Sequence, residues 1–595
     1  MKKCNIKETW KVINNVLNKN KNHNNITQIK SNDIIISDNS AIPNIFNDYF
    51  SNIGPNLAKT IPKTNKTFTD FLKNNNPNTM FLIPTDVIEI KKIVEKINSK
   101  KSTGYDDISN DLLKHIIDEI VIPLEHIINL SIVNGIVPDN MKIAKVVPIY
   151  KKGESLDTSN YRPISLLSSI SKILEKIVYN RTIKFIRSFD LLSNSQFGFR
   201  QKHSTTHAIL YFINHIATAI DDRLHTLGIF LDLSKAFDTI DHEILLSKLS
   251  HYGIRGKALE WFRSYLTGRK QFVSLNGTNS NYKNITCGVP QGSLLGPLLF
   301  ILYINDFQNS SNLLSFILFA DDTSVFFSHK NPNTLVDTVN TELRRIHEWI
   351  CCNKLSLNVL KTHGMLFSNS ISRLPSNVFL NNTSVDIVDS TKFLGLYIDN
   401  KLSWKKHTTH LSKLLSRNVG IINKLKNIFP SNVLLNIYCT LILPYLNYGI
   451  LAWGNSSRNQ LDKLLLIQKR VMRIICNKNR LAHSNELFYS NKVLKIDDLF
   501  HLRLGCFMYQ LNQGELPVAL SDLFSKNERF HNYPTRQSSS YHLPMLRTLY
   551  KQKTLIYTGP VYWNSLDESL THSPSLFSFK RSLKLNQIDN YKDSI

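Results

Sequence analysis

The sequence predicts an α+β fold in which helices back an antiparallel sheet, and three observations carry that reading. Short β-branched or apolar runs alternate with segments of 3.6-residue apolar rhythm. One apolar run, LGIFLDL at 227–233, holds a single carboxylate, and another, SFILFADDTSVFF at 315–327, holds two in its middle. Beyond residue 400 the pattern turns mainly helical and basic: residues 401–430 carry seven Lys or Arg and no acid, and 456–480 carry seven with one Asp.

In chain order, residues 1–80 are rich in Asn and Lys, with eight Asn between Asn14 and Asn32. They read as a solvated linker holding a short helical segment near Ile42 to Leu57. From Pro84 the pattern tightens. Asp86 can cap a helix through Val87, Ile90, Ile93, Val94 and Ile97. A second helix is expected over 111–134, closed by Gly135. KVVPIY at 145–150 is a strand candidate, 315–327 reads as a hairpin whose turn carries Ala320, Asp321 and Asp322, and TKFLGLYID at 391–399 reads as a further strand. Helical patterns lie between, at 205–220, 241–250, 257–266, 292–305 and 333–352, and no internal repeat is visible.

At 595 residues the chain exceeds what one core supports, so two to four packed units are expected. The formal charge of +26 calls for a polyanion, either nucleic acid or an anionic membrane. A membrane fits poorly. No apolar run reaches the ~18 residues of a spanning helix, and MKKCNIKETWK lacks an apolar segment behind its basic residues. The seven cysteines (4, 287, 351, 352, 439, 476 and 506) form no CxxC pair, which argues against a zinc site and fits a reducing compartment. Nucleic acid is the expected partner.

A carboxylate within a buried strand is costly unless it is paired or binds a cation. Asp106-Asp107 and Asp221-Asp222 sit in polar surroundings and Asp497-Asp498 begins a helical rhythm, whereas strand residues flank Asp321-Asp322 on both sides. Together with Asp232 these acids have a reason to be there. Two divalent ions about 3.5–4 Å apart need such carboxylates to clamp an in-line phosphoryl displacement.

The same residues resemble the blocks of a reverse transcriptase of the non-LTR retrotransposon type, the LINE-like group containing jockey and CR1 elements. FLDLSKAFDTIDHEILLSKL at 230–249, CGVPQGSLLGPLLFILYINDF at 287–307, FADD at 319–322, NKLSLNVLKT at 353–362 and FLGLYID at 393–399 are similar to that family's motifs A to E. NYRPISLLSSISKILEKIV at 160–178 and QFGFRQKHSTTHAI at 196–209 resemble its finger blocks, and GPVYWNSL at 559–566 resembles its C-terminal region. The resemblance implies a right-hand polymerase fold: a linker over 1–80, fingers over 81–225, an antiparallel-sheet palm over 226–402, a basic helical thumb over 403–480 and a helical region over 481–595.

It also implies roles. Asp232 and Asp321 are the metal ligands, with Asp322 supporting or sharing that task and the Leu233 carbonyl as a further ligand. Two Mg²⁺ ions are the expected cofactors, with Mn²⁺ able to substitute. Phe237 is a steric gate against a 2′-hydroxyl, the alternative being a core Phe. Lys151, Lys152, Arg162, Gln291 and Gly292 contact the incoming deoxynucleoside triphosphate. Lys361 is a candidate acid for the leaving pyrophosphate, or an exposed Lys after a turn. Phe393, Leu394 and Gly395 begin the primer grip. The implied partners are an RNA template, a DNA primer or target and deoxynucleoside triphosphates, with action in the nucleus and no membrane. No endonuclease, ribonuclease H or zinc-knuckle pattern is found, so the chain reads as the polymerase portion of an element product. Two other readings stay open: a catalytically inactive nucleic-acid-binding remnant, and a group II intron maturase-like protein.

Overall fold

The computed structural model describes residues 10–11, 13–15, 26–31, 33–371, 373–529 and 538–592; Cys4 and the Asn-rich run at 16–25 lie outside them. Its elements follow the sequence closely where local signals are strong. Asp86 accepts the Glu89 amide at 2.7 Å and starts the helix Val87–Lys96. Ser109 caps Asn110–Asn134, which Gly135 ends in the left-handed region at φ 69.

The elements that position the site are, in order, helix α1 (Ala41–Lys59), strands β1 (Ile143–Tyr150) and β2 (Tyr161–Leu167), helices α2 (Ser169–Ser188) and α3 (Thr205–Asp221), strand β3 (His225–Asp232), helix α4 (His242–His251), strand β4 (Lys270–Leu275), helix α5 (Gly296–Tyr303), strands β5 (Ser315–Phe319) and β6 (Asp322–His329), helix α6 (Pro332–Cys352), strands β7 (His363–Phe367), β8 (Ser390–Phe393) and β9 (Leu396–Asp399), and helices α7 (Lys405–Leu425) and α8 (Arg458–Ile475).

The main sheet runs Asp386–Ile387, β7, β3, β6, β5; all its pairings are antiparallel except β7 with Asp386–Ile387. β3 lies in the middle, and period-two alternation divides its apolar run between two cores. Leu227, Ile229 and Leu231 face a core built with α2, α4, α5 and α6, while Phe230 faces α3. There Phe212 packs against Phe230, Phe326 and Phe367 with ring centroids 5.4–5.9 Å apart. That second core continues without a break from Trp404 to Tyr591, so packing marks no division at residue 480.

The smaller sheet, β2-β1-β4 with Thr278–Asn279, joins β1 and β2 antiparallel and β1 and β4 parallel. Two of its strands, β2 and β4, carry too many polar residues to stand out in the sequence. The segment expected as a solvated linker is packed here instead. Phe46 and Phe50 of α1 are buried with Val146, Tyr161 and Val273, and Asn47 donates to the Asn281 carbonyl at 2.7 Å. Burial of the two rings stabilises this docking by about 1.5–3 kcal/mol each. The helix comes very close at Gly54, where an added Cβ would lie 2.3 Å from the Asp238 carbonyl oxygen.

Two further sequence expectations are corrected. Residues 391–399 form a hairpin, β8 and β9, rather than one strand, because Leu394 (φ 43) and Gly395 (φ 91) reverse the chain. The helix expected from 292 starts at Gly296 with Pro297 behind it, since Gly292 has φ 134 and belongs to the preceding loop.

Candidate active site

Hydrogen bonding brings the carboxylates together. β3 and β6 pair in the register Asp322↔Asp232, which places these residues side by side on adjacent strands, with Cα atoms roughly 4.5–5.5 Å apart. Asp321 stands next to them on the two-residue turn between β5 and β6, where Ala320 takes φ 57, the sign that such a hairpin turn requires. Burial first, then repulsion from Asp321 and Asp232, pushes the Asp322 carboxyl above its usual range. Like charges are gathered here at a cost.

Neighbouring loops brace this corner. The Asp232 carbonyl accepts the Asn358 amide at 2.8 Å, and Leu233 bridges to Leu357. Gln196 Oε1 accepts from the amides of Gly198 (2.7 Å) and Ala320 (3.3 Å), while Phe197 and Leu318 are joined by a 2.7 Å backbone bond. The QFGF segment thereby holds the acidic turn. Gln196 had no role in the sequence reading, although it sits inside a recognised block.

Cations face the acids. Lys361 Nζ is 3.7 Å from Asp232 Oδ2, both side chains being substantially exposed, so the pair itself contributes little stability. Burial, and then the charges of Arg162 and Lys152, lower the Lys151 pKa, with Asp232 opposing. Lys235, which the sequence reading passed over, joins the group: its pKa is lowered by burial, and among its charged neighbours are Asp238, Lys151 and Lys361. Lys151, Lys152, Arg162, Lys235 and Lys361 thus share one rim.

Phe237, five residues after Asp232, is half-buried, stacked on Phe300 at 4.4 Å and edge-on to exposed Phe199 at 6.4 Å. Gln291 donates from Nε2 to Asp238 Oδ1 (2.8 Å), and its carbonyl accepts the Ser165 amide (2.8 Å). Glu175, fully buried, holds the other side of this loop through the Leu294 amide (2.7 Å) and the Tyr265 hydroxyl (2.8 Å). Gly292 is required where it stands: an added Cβ would fall 2.3 Å from the Ser165 carbonyl oxygen. Gly292→Ala is expected to cost about 1–3 kcal/mol, read as a lower urea midpoint at unchanged slope. An unchanged midpoint would mean that the loop is not clamped.

Asp238 titrates anomalously, pushed up from 3.8 to about 6 by burial, against the hydrogen bond from Gln291 and the charge of Lys235. Its protonated form is favoured in the fold. Its contribution to stability is therefore present below the unfolded value and declines as pH rises from about 4 to about 6. Asp238→Asn should flatten the melting-temperature profile in that window relative to the parent; parallel profiles would count against the shift.

Of the expected primer-grip residues, Phe393 is buried against Phe212 (5.0 Å) and Phe230 (5.7 Å) and serves the core. The Leu394–Gly395 turn is at the surface, held by the Tyr448 hydroxyl donating to the Leu394 carbonyl at 2.6 Å.

Among the described residues, no three His, Cys, Asp or Glu side chains form by themselves a group that could hold a metal ion. The donor chemistry still fits Mg²⁺, which takes one or two carboxylates and completes its shell with substrate phosphates and water. The carboxylates of Asp232 and Asp322, paired in register, are hard oxygen donors of that kind.

A mixed sheet with paired acids at one end and a cationic rim beside them, backed by helices, fits a polymerase fold. Residues 149–398 match the family described as reverse transcriptase (RNA-dependent DNA polymerase). The chain is 28% identical over 426 residues, 70% of its length, to the RNA-directed DNA polymerase from mobile element jockey of Drosophila funebris. It is 29% identical over 415 residues (66%) to the probable RNA-directed DNA polymerase from transposon BS, and 27% over 428 residues (70%) to that from transposon X-element, both of Drosophila melanogaster. It spans about half the length of these curated relatives (46%, 45% and 47%). The matched segment is thus similar to a reverse transcriptase domain, and the relatives the chain resembles are polymerases of mobile elements. Reverse transcriptases use divalent metal ions, a nucleic-acid template and primer, and deoxynucleoside triphosphates. Among the described residues, no helix is long and apolar enough to cross a membrane.

Proposed function

We propose that the chain is the RNA-directed DNA polymerase of a non-LTR mobile element, acting in the nucleus to extend a DNA primer on an RNA template. The observation that carries this is the in-register pairing of Asp232 with Asp322, with Asp321 on the adjoining turn, inside the segment that matches the family. The main sheet is then the palm, the smaller sheet and the helices around it the fingers, and α7 and α8 the thumb.

Asp232 and Asp321 would hold two Mg²⁺ or Mn²⁺ ions, with Asp322 and the Leu233 carbonyl assisting. When bound, the ions would acidify the primer 3′-hydroxyl and neutralise charge on the departing pyrophosphate. The chain's own groups supply the rest. Lys151, Lys152 and Arg162 grip the triphosphate, and Lys361, beside Asp232, protonates the pyrophosphate as it leaves. Gln291, tethered by Asp238, and the Gly292 backbone lie along the sugar. The turn at Leu394–Gly395 and the basic helices α7 and α8 hold the backbone phosphates, contacts that weaken steeply with salt.

Phe237, fixed by Phe300, rejects the 2′-hydroxyl. Phe237→Val should raise ribonucleotide over deoxynucleotide incorporation roughly tenfold or more, the scale that an apolar contact supplies. An unchanged ratio would return Phe237 to the core. The function itself is tested by extension of oligo(dT) on poly(rA) with Mg²⁺. Binding of the hybrid without extension would identify a silent remnant instead.

A further inference from the structure

The turn that carries Asp321 takes a conformation its residues do not favour. Phe319 pairs with Asp322, so only Ala320 and Asp321 join β5 to β6. Of these two, Ala320 alone has a positive φ, 57, at the place where a two-residue hairpin turn of that kind favours glycine. Ala320 is also buried, so its amide needs a partner within the protein. Gln196 Oε1 supplies one at 3.3 Å, from 124 residues earlier in the chain.

Gln196 is itself held firmly. It is 1% exposed, and the same oxygen accepts the Gly198 amide at 2.7 Å. Its neighbours lie along β5: Phe197 donates to the Leu318 carbonyl (2.7 Å), and the Leu318 amide donates to the Ser195 carbonyl (2.8 Å). Residues 195–198 thus border the edge of the main sheet and end against the turn. The contact leaves no slack, because a Cβ added at Gly198 would fall 2.4 Å from the Ala320 nitrogen. Among the described residues, Gln196 Nε2 has no hydrogen-bond partner. Burying an idle donor is costly, so stability alone is a poor reason for a glutamine here. Its oxygen is the end that acts.

We propose that Gln196 is a positioning residue for the metal centre. By holding the Ala320 amide it fixes where Asp321 stands beside the paired Asp232 and Asp322, and so sets the affinity for divalent ions. Like charges gathered at one corner repel, and a two-residue turn left to itself relieves that repulsion by swinging outward. Gln196 opposes the swing before any ion arrives. This role rests on the proposed function and deepens it, since it concerns how the same acids are preorganised.

The test is Mn²⁺ binding by the full chain, read from loss of the free ion's electron paramagnetic resonance signal, so that no turnover is needed. Gln196→Met keeps the length of the side chain and removes its oxygen. It is expected to bind Mn²⁺ about tenfold or more weakly than the parent, the usual effect of losing a group that orients a metal ligand. Half-maximal primer extension should need proportionately more Mg²⁺, and extension should recover as Mg²⁺ is raised, which a mere loss of folded protein would not allow. Parent-strength Mn²⁺ binding in folded Gln196→Met would overturn the proposal. A second measurement needs no variant. Ions that favour the held turn must, by linkage, tighten its hold, so Mg²⁺ should slow hydrogen exchange of the parent both at 316–323 and at 195–199. Slowing at 316–323 alone would overturn the proposal too. If the parent binds Mn²⁺ but fails to extend a primer, the polymerase reading falls, and the binding and exchange results still decide the role of Gln196.

Discussion

Asp321→Ala is expected to lower primer extension by at least about 10³-fold, since each divalent ion supplies several kcal/mol of transition-state stabilisation. Hybrid binding should persist, because the substitution leaves in place the cations proposed to grip the phosphates. Stability should hold or rise: removing one of three neighbouring carboxylates relieves the repulsion that raises the Asp322 pKa. The combination of dead chemistry, retained binding and an undiminished melting temperature is specific. A variant that extends within tenfold of the parent would place the chemistry elsewhere.

The largest stability effect is expected far from the acids. Lys248 of α4 and Asp306, just beyond α5, form a fully buried ion pair at 2.5 Å. Lys248 also donates to the Tyr303 carbonyl (2.7 Å) and lies about 5 Å from the ring centroids of Tyr303 and Trp349, while Trp349 Nε1 donates to the second Asp306 oxygen (2.9 Å). Three helices meet at this one carboxylate. Asp306→Ala should cost about 3–5 kcal/mol, because it strands a buried ammonium. The paired replacement Lys248→Met/Asp306→Leu should recover most of that loss, as apolar substitutes for buried pairs often do. Urea unfolding of both variants decides it. A loss below about 1 kcal/mol in the single variant would contradict the burial of this pair.

How much of this was legible in the sequence follows from how local each signal is. Asp86, Ser109 and Gly135 set helix ends through contacts within a few residues, and those helices appear where expected. The apolar run ending in Asp232 and the two runs flanking Asp321-Asp322 gave the strands, and the pairing register then follows from which face must be buried. The hairpin at 390–399 was hidden because its reversal uses Leu394, a residue type that rarely takes φ 43. The docking of α1 was hidden because Tyr161 and Val273, which cover Phe46 and Phe50, lie more than a hundred residues away. Gln196, Glu175 and Asp238 escaped for a related reason. Each acts by bracing a loop distant in sequence, and a brace has no spacing of its own to recognise. Phe393 stands in a block whose resemblance implies contact with the primer, yet it packs in the core between α3 and the sheet.

On the proposed function, Asp232 and the 321–322 turn share divalent ions. Fe²⁺ bound in place of Mg²⁺ generates hydroxyl radicals that cut the nearby backbone. With ascorbate and peroxide, cleavage is expected at two places at once, near 230–234 and near 319–323, and excess Mg²⁺ should suppress both together. Cleavage at only one of these segments, or cleavage at both that Mg²⁺ leaves untouched, would contradict a shared metal centre.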